Sequence, residues 1–274
     1  MNYLKEEKKF AILATLVEGN SINSTVRLTG VHKTTILNFL CRIGKGCEQL
    51  STEKMKGLRP DFIQVDEIWS YIGAKERNLT QFGKTQPELG SVYTYVALDA
   101  ETRLVPLFLS AKRGTEATNQ FMFELARRLK GRFQLTTDGY IPYMDAVEAA
   151  FGGRIHYAQI VKSYGGGEDR RYSPPDAPII NRLVLSGTPC KEHISTSLVE
   201  RQNLTMRMRM RRFTRLTNGF SRKLENLRAA VALHFAHYNF IRIHQALQVT
   251  PAMAAGITSN LWSFKDLLAW EEKY

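Results

Sequence analysis

Cysteine and long apolar runs are scarce in this 274-residue sequence, and each shortage excludes a class of protein. The 3 cysteines, Cys41, Cys47 and Cys190, are odd in number and form no C-x-x-C pair. Neither a disulfide framework nor a structural zinc site is indicated, and the set fits a reducing cytosol. No stretch approaches about 18 consecutive apolar residues, so no membrane span is expected. Met1-Asn2-Tyr3 runs straight into Lys5-Glu6-Glu7-Lys8-Lys9, so no secretory leader is expected either. Repeats and low-complexity tracts are missing. Acid is in short supply: Asp and Glu number 26 against 38 Lys and Arg, a net charge of +12. From Arg201 to Leu224 there is no acid at all. A surplus of that size suggests a polyanionic partner, because cations that neutralise phosphates release counterions and supply most non-specific affinity.

Other chemistries fail on detail. Gly83-Lys84-Thr85 would end a nucleotide-binding loop, but Asn78 stands where its first Gly is required, so no nucleotide cofactor is expected. Gly165-Gly166-Gly167 lacks the strand-to-helix setting of a phosphate cradle. His234, His237 and His244 have no supporting cysteine and read as structural. No Ser-His-Asp set is recognisable.

What is present begins with three short helices. Phe10, Leu13, Ala14 and Val17 recur at helical spacing up to Gly19-Asn20. Ser21 to Leu28 forms a second helix, Thr29-Gly30-Val31 a tight turn, and His32 to Leu50 a third, with Ile36, Leu37, Leu40 and Ile43 inside. This is the layout of a helix-turn-helix over residues 1–50. Its last helix would expose His32, Lys33, Thr34 and Thr35 to DNA phosphates and base edges. A plain three-helix packing unit is the alternative. Residues 51–60 read as a linker.

Strands follow: Phe62 to Trp69, reaching Gly73, then Val92 to Leu98 and Leu104 to Leu109 about the turn Asp99-Ala100-Glu101-Thr102. Thr115 to Lys130 is a helix, Phe133 to Thr137 a strand, Pro142 to Phe151 a helix, and Ile155 to Val161 a fifth strand. The order is a meander followed by crossover units. Residues 163–191, rich in Gly, Pro and charge, read as an insertion loop. Helices are expected over about 196–215 and 221–240, and Thr250-Pro251 starts another that Gly256 ends. Residues 257–274 close the chain with a C-terminal helix.

Within this frame three acids take positions suited to metal-dependent phosphoryl transfer. Asp66 lies inside the apolar run Phe62–Trp69, Asp138 closes the run Phe133–Gly139, and Glu200 opens the Arg-rich helix. A carboxylate in a buried strand is costly without a compensating partner, and a hard divalent cation is one that several carboxylates can share. Singly, each has an ordinary explanation: a satisfied carboxylate, a strand-end turn, a helix-dipole residue. Glu67 should face away from Asp66 by strand alternation and is left out of the site. Glu200, Asn203, Leu204, Arg207 and Arg211 would share one helix face, beside a core-facing stripe of Val199, Met206, Met210 and Phe213. Arg201, Arg207 and Arg211 are the candidates for DNA backbone contact.

As an ordered set, Val65-Asp66-Glu67-Ile68-Trp69-Ser70-Tyr71-Ile72-Gly73, Thr137-Asp138-Gly139 and Val199-Glu200-Arg201-Gln202-Asn203 resemble the catalytic blocks of insertion-sequence transposases of the IS1 type. The tail Asn239-Phe240-Ile241-Arg242-Ile243-His244-Gln245-Ala246-Leu247, with Thr250-Pro251-Ala252, is similar to theirs. The resemblance spans roughly residues 59–256. It implies an α/β, ribonuclease H-like fold over 61–256: a mixed five-stranded sheet flanked by helices, with the helix-turn-helix module before it. In that fold the first and fourth strands are adjacent and parallel, bringing Asp66 to Asp138, while the helix after the fifth strand delivers Glu200. The resemblance further implies catalysis and metal binding by Asp66, Asp138 and Glu200, and two Mg²⁺ ions, with Mn²⁺ as a substitute. It also implies double-stranded DNA as partner, both element ends and target, a homo-oligomer on that DNA, and a bacterial cytoplasmic, nucleoid-associated setting. Members often carry an N-terminal zinc finger; this chain lacks its cysteines, so end recognition falls to residues 1–50 and the basic surface. The alternatives are a ribonuclease H-like nuclease without strand transfer and a catalytically silent DNA-binding regulator.

Overall fold

The computed structural model describes residues 4–163 and 179–273. Three helices come first, α1 (Glu6–Val17), α2 (Ile22–Thr29) and α3 (Lys33–Lys54). Ser21 caps α2 by accepting from the Ser24 amide at 3.0 Å, and Gly30, at φ +68, ends it in the left-handed conformation that lets the chain turn into α3. The third helix runs past Leu50 and takes up residues 51–54, so the connection expected from residue 51 begins only at Met55.

The sheet is built from β1 (Phe62–Ile72), β2 (Gly90–Asp99), β3 (Leu107–Ala111), β4 (Gln134–Asp138), β5 (His156–Ser163) and β6 (Ile179–Ser186). Helix α4 (Gln81–Lys84) lies between β1 and β2, α5 (Thr115–Arg128) between β3 and β4, and α6 (Pro142–Phe151) between β4 and β5. After β6 come α7 (Ser197–Arg209), α8 (Leu224–Ala236) with a π-turn over His237–Ile241, α9 (Pro251–Ala254) and α10 (Phe264–Lys273). The strand order is β3-β2-β1-β4-β5-β6. Strands β1, β2 and β3 form an antiparallel meander, β4 lies parallel to β1, and β5 parallel to β4. This is the mixed sheet, with β1 beside β4, that the resemblance implies.

Two expectations are corrected. The sheet has six strands, not five, because residues 179–186 of the expected insertion loop pair antiparallel with β5. Residues 164–178 of that loop, including Gly165-Gly166-Gly167, lie outside the described residues. The helix from Thr196 stops at Arg209 rather than Arg215: Met210 turns to φ −131, ψ 112 and is buried. Burying the Met210 side chain among Val199, Met206 and Phe213 outweighs helix propagation.

Both faces of the sheet are covered. Ile63, Val65, Tyr95 and Leu135 pack against Phe121 and Leu125 of α5 and Tyr143 and Val147 of α6. On the other face Ile68, Ile72 and Val96 meet Val199 and Met206 of α7 and Leu227, Val231 and Phe235 of α8. Helix α8 is apolar on its back as well: Ala229, Ala232, Leu233 and Ala236 share a third core with Ile36, Phe39, Leu40 and Ile43 of α3 and Leu267 and Leu268 of α10. A helix apolar all round belongs between two layers. Two glycines permit the seam. A Cβ on Gly44 would lie 2.5 Å from the Ala229 Cα and Cβ, and one on Gly46 would meet the Trp270 backbone at 2.9 Å. The N-terminal helices are thereby packed onto the helices that back the sheet.

Candidate metal centre at the end of strands β1 and β4

Register places the first two acids. The last β1–β4 pair is Val65 with Thr137, so Asp66 and Asp138 come next on neighbouring parallel strands. Strand β4 ends at Asp138, whose Oδ1 accepts from the Tyr140 amide at 3.1 Å to start the following turn. A Cβ on Gly139 would come within 3.0 Å of the Val161 side chain, which would have to give way by a few tenths of an ångström.

Alternation splits β1 between two helix layers. Gln64 and Asp66 face α7. Gln64 Oε1 accepts from the Leu198 and Val199 amides at 3.0 and 3.2 Å, satisfying donors that the first turn of α7 leaves free. That bond fixes the helix against the strand, and Asn203 then donates from Nδ2 to Asp66 Oδ2 at 2.8 Å. Glu67 faces α5 and α6, as alternation requires. There it accepts from Arg113 Nη2 at 3.2 Å, and Arg113 stacks 3.7 Å above the Tyr140 ring. The Tyr143 hydroxyl is beside it but outside hydrogen-bond geometry.

The sequence expectation leaves Glu67 out of the site, yet the structure places its carboxylate near those of Asp66 and Asp138. One oxygen each from Asp66, Glu67 and Asp138 lie within 4.8 Å of one another. The physical reason is that β1 outruns β4, so no strand edge separates the two faces beyond Asp138. Among the described residues Glu67 Oε1 is buried without a partner in hydrogen-bond geometry, the Tyr143 hydroxyl being the donor beside it.

Glu200 stands outside this 4.8 Å group. It lies on α7 where the charges of Asp66 and Asp138 still feel it. Its carboxylate, 42% exposed, pairs with Lys162 of β5 and accepts from Thr196 Oγ1 at 2.6 Å. Lys162 also acts on Asp138, so one ammonium balances both acids.

Electrostatics follow from this crowding. Burial, then the neighbouring Asp138, raise the Asp66 carboxyl to about 6. Burial, then Asp138, raise Glu67 to about 7. Burial raises Asp138 as well, against the Tyr140 amide, Arg113 and Lys162. Three carboxylate oxygens without imidazole or thiolate form a hard donor set of the kind that suits a divalent cation.

The basic residues distribute unevenly. Arg207 is half-buried on α7 within electrostatic reach of Asp66 and Arg215. It lines a groove of about 910 Å³ with Trp69, Tyr71, Lys75, Arg215 and Phe220. Arg201 is exposed on α7. Arg211 is exposed too, but it follows the end of the helix and does not share the Glu200 face. His32, Lys33, Thr34 and Thr35 are all exposed at the start of α3, where His32 Nδ1 accepts from the Thr34 amide at 3.3 Å. Asn203 is marked by its spacing from Glu200. Arg113 and Lys162 belong to no motif, and only the assembled sheet reveals them.

No protein-family model and no curated protein matches the sequence. Among solved structures, a piggyBac transposase synaptic complex with hairpin DNA aligns over 99% of this chain and 73% of its own, at 11% identity and a TM-score of 0.46. A Mos1 strand transfer complex aligns over 54% of this chain and 57% of its own, at 16% identity and 0.23. A pre-cleavage Mos1 transpososome aligns over 57% and 61%, at 12% identity and 0.22. The functional reading therefore stands on the residues of the site.

Proposed function

We propose that the protein is a DNA transposase of the aspartate–aspartate–glutamate type. It binds the ends of its element, frees their 3′ ends by metal-dependent hydrolysis and joins them to target DNA by transesterification. The observation that carries this reading is the carboxylate cluster itself: Asp66 and Asp138 on adjacent parallel strands, with Glu200 on a helix docked to the same face by Gln64 and Asn203. The IS1-type motif order supports the finer assignment.

Asp66 and Asp138 would hold the metal, with Glu200 as third acid and Glu67 as a further donor. Mg²⁺ or Mn²⁺ bound there supplies Lewis-acid activation of the attacking oxygen and charge relief for the departing one. The chain's residues prepare the rest. Asn203 fixes the Asp66 rotamer, Arg113 holds Glu67 against the repulsion of its neighbours, and Lys162 keeps Glu200 aligned. Arg207 sets a positive field beside Asp66 for a phosphate backbone, with Trp69 and Tyr71 along the same groove as stacking surfaces. His32, Lys33, Thr34 and Thr35 contact duplex DNA from α3, and Arg201 and Arg211 extend the basic surface. Two copies of the chain would act together, one on each element end.

The test uses duplex DNA carrying the sequences that flank the gene. The protein in Mg²⁺ should nick the 3′ ends and join them to a second duplex, and Asp66→Asn should do neither while still binding. Cleavage without joining would make it a simple nuclease. Tight binding with no turnover in Mg²⁺ or Mn²⁺ would make it a regulator.

A further inference from the structure

A second charged site lies away from the carboxylates, between the N-terminal helices and the segment that joins α7 to α8. It is a cavity of about 490 Å³. Leu37 and Leu40 of α3 and Leu233 of α8 give it an apolar floor. Its charged lining is Lys33, Arg211, Arg212 and Arg222, with no Asp or Glu among the lining residues.

Three polar atoms here are buried without partners: Arg212 Nε, Ser221 Oγ and His234 Nε2. Ser221 and His234 are only 4% and 5% exposed. Buried polar groups in folded proteins are nearly always satisfied, so three orphans around one cavity ask for a ligand. Arg212 is the costliest. It is part-buried, but its Nε is shut off from solvent; desolvation draws the guanidinium down to about 10, and no carboxylate pairs with it among the described residues. The same burial holds His234 neutral, near 3, so its imidazole can hydrogen-bond without adding charge.

The charge count selects the ligand. Four cations with no acid favour a dianion, and a phosphomonoester carries about −1.5 to −2 at neutral pH. Guanidinium groups suit phosphate oxygens because their donors form a rigid fork. The volume falls within the roughly 300–1,000 Å³ of small-molecule sites, and a leucine floor suits an organic body rather than a duplex backbone. We propose that this cavity binds a small phosphate-bearing molecule, its anion met by Arg212, Ser221 and His234 and its body resting on Leu37, Leu40 and Leu233. Such a ligand would bridge α3 to the segment following α7, on the far side of Arg212 from the groove that Arg207 lines.

Calorimetric titration of the full-length protein tests this, with deoxyadenosine 5′-monophosphate and inorganic phosphate as probes. Saturable binding of the nucleotide is expected, tighter than that of inorganic phosphate because only the nucleotide covers the apolar floor. Arg212→Met should weaken it about ten-fold or more, and Ser221→Ala about three-fold, in line with charged and neutral hydrogen bonds. Arg127→Gln, on the exposed face of α5 and outside the cavity lining, should leave it within two-fold. Ser221→Ala removes only a hydroxyl and keeps the test decisive should Arg212→Met not fold. No saturable binding at millimolar probe, or unchanged binding in Ser221→Ala and Arg212→Met, would overturn the proposal. So would displacement of the nucleotide by duplex DNA that persists in a Lys33→Gln/Arg211→Gln variant, since the phosphate recognised at Arg212 would then be the DNA backbone's.

Discussion

The two ends of α7 bury charge of opposite sign. At its N-terminal half the acids Asp66, Glu67 and Asp138 crowd together with their carboxyls raised by burial. Past its C-terminus Arg212 is part-buried, its Nε closed off from solvent and its guanidinium lowered by desolvation. Folding could have relieved both by bringing the poles together. Instead the helix holds them apart, fixed at one end by Gln64 and Asn203 and at the other by Met210 and Phe213 in the core. Each pole therefore carries a desolvation cost that a ligand of opposite charge relieves: a divalent cation at the acids, an anion at the arginine. Sites that prepay this cost bind their ligand with little reorganisation.

The largest expected effect comes from breaking the acidic pole. Asp138→Asn keeps the strand-end turn through its side-chain oxygen but removes a charge from the cation. Its 3′-end cleavage in Mg²⁺ should fall by about three orders of magnitude or more, the scale of losing an electrostatic group at a reacting phosphate. Glu67→Gln sharpens the same point, because it asks whether the residue on the far face of β1 holds metal. A rise of roughly ten-fold or more in the Mg²⁺ concentration for half-maximal cleavage is expected. An unchanged metal requirement would return Glu67 to a structural partner of Arg113.

Next in size is the cost of the acidic pole itself, readable as stability against pH without metal. Asp66 and Glu67 hold their protons up to about 6 and 7 when folded, against 3.8 and 4.5 as reference values. Between those limits the folded chain binds more protons than the unfolded one, so this contribution to stability falls as pH rises. The resulting penalty is absent below about pH 4, grows through about pH 4–7 and is complete above. At about 1.4 kcal/mol per pKa unit the penalty is on the order of a few kcal/mol. In chelator, the wild type should lose thermal stability from pH 4.5 to 7.5 relative to an Asp66→Asn/Glu67→Gln variant. Adding Mg²⁺ at pH 7.5 should close the gap. Parallel profiles for the two proteins would mean that the acids are not strained.

These poles differ in how much the chain announces them. The apolar runs around Asp66 and before Asp138 mark β1 and β4 because a buried strand needs a continuous hydrophobic stretch. Their adjacency is a matter of topology and enters only through the motif order. Strand β6 is hidden because its residues Ile179, Leu183 and Val184 are exposed at the sheet edge, within a stretch whose Gly and Pro content reads as loop. The end of α7 is hidden because neither Gly nor Pro stops it; the core captures Met210. Glu67 is assigned to the correct face by alternation. What alternation omits is that β4 is too short to divide that face from the other. The basic pole is legible as composition from Arg201 to Leu224, yet nothing in that run distinguishes part-buried Arg212 from its exposed neighbour Arg211.

Arg212→Met sharpens the comparison from the other side. Methionine follows much of the same path without charge, so removing a part-buried cation that no carboxylate pairs with among the described residues should leave the ligand-free protein as stable or more stable, by about 1 kcal/mol. Chemical denaturation of the ligand-free protein measures it. A loss of stability would show that the guanidinium is already satisfied in the free protein.

The smallest effect is expected where charge is fully solvated. Lys33 opens α3 exposed, beside a cavity whose other cations are already numerous. If α3 reads DNA, Lys33→Gln should weaken binding to all duplexes alike and lower the slope of log affinity against log salt by about 1, the signature of one lost phosphate contact. Thr34→Ala and Thr35→Ala should leave that slope unchanged but narrow the preference for element ends over random duplex, by about 1–3 kcal/mol for each base contact removed. Salt dependence separates the two because a hydroxyl at a base edge displaces no counterion. Should Lys33→Gln instead alter only nucleotide binding in the cavity, α3 serves the anion site rather than the groove of DNA, and the helices before the sheet carry a ligand-binding role.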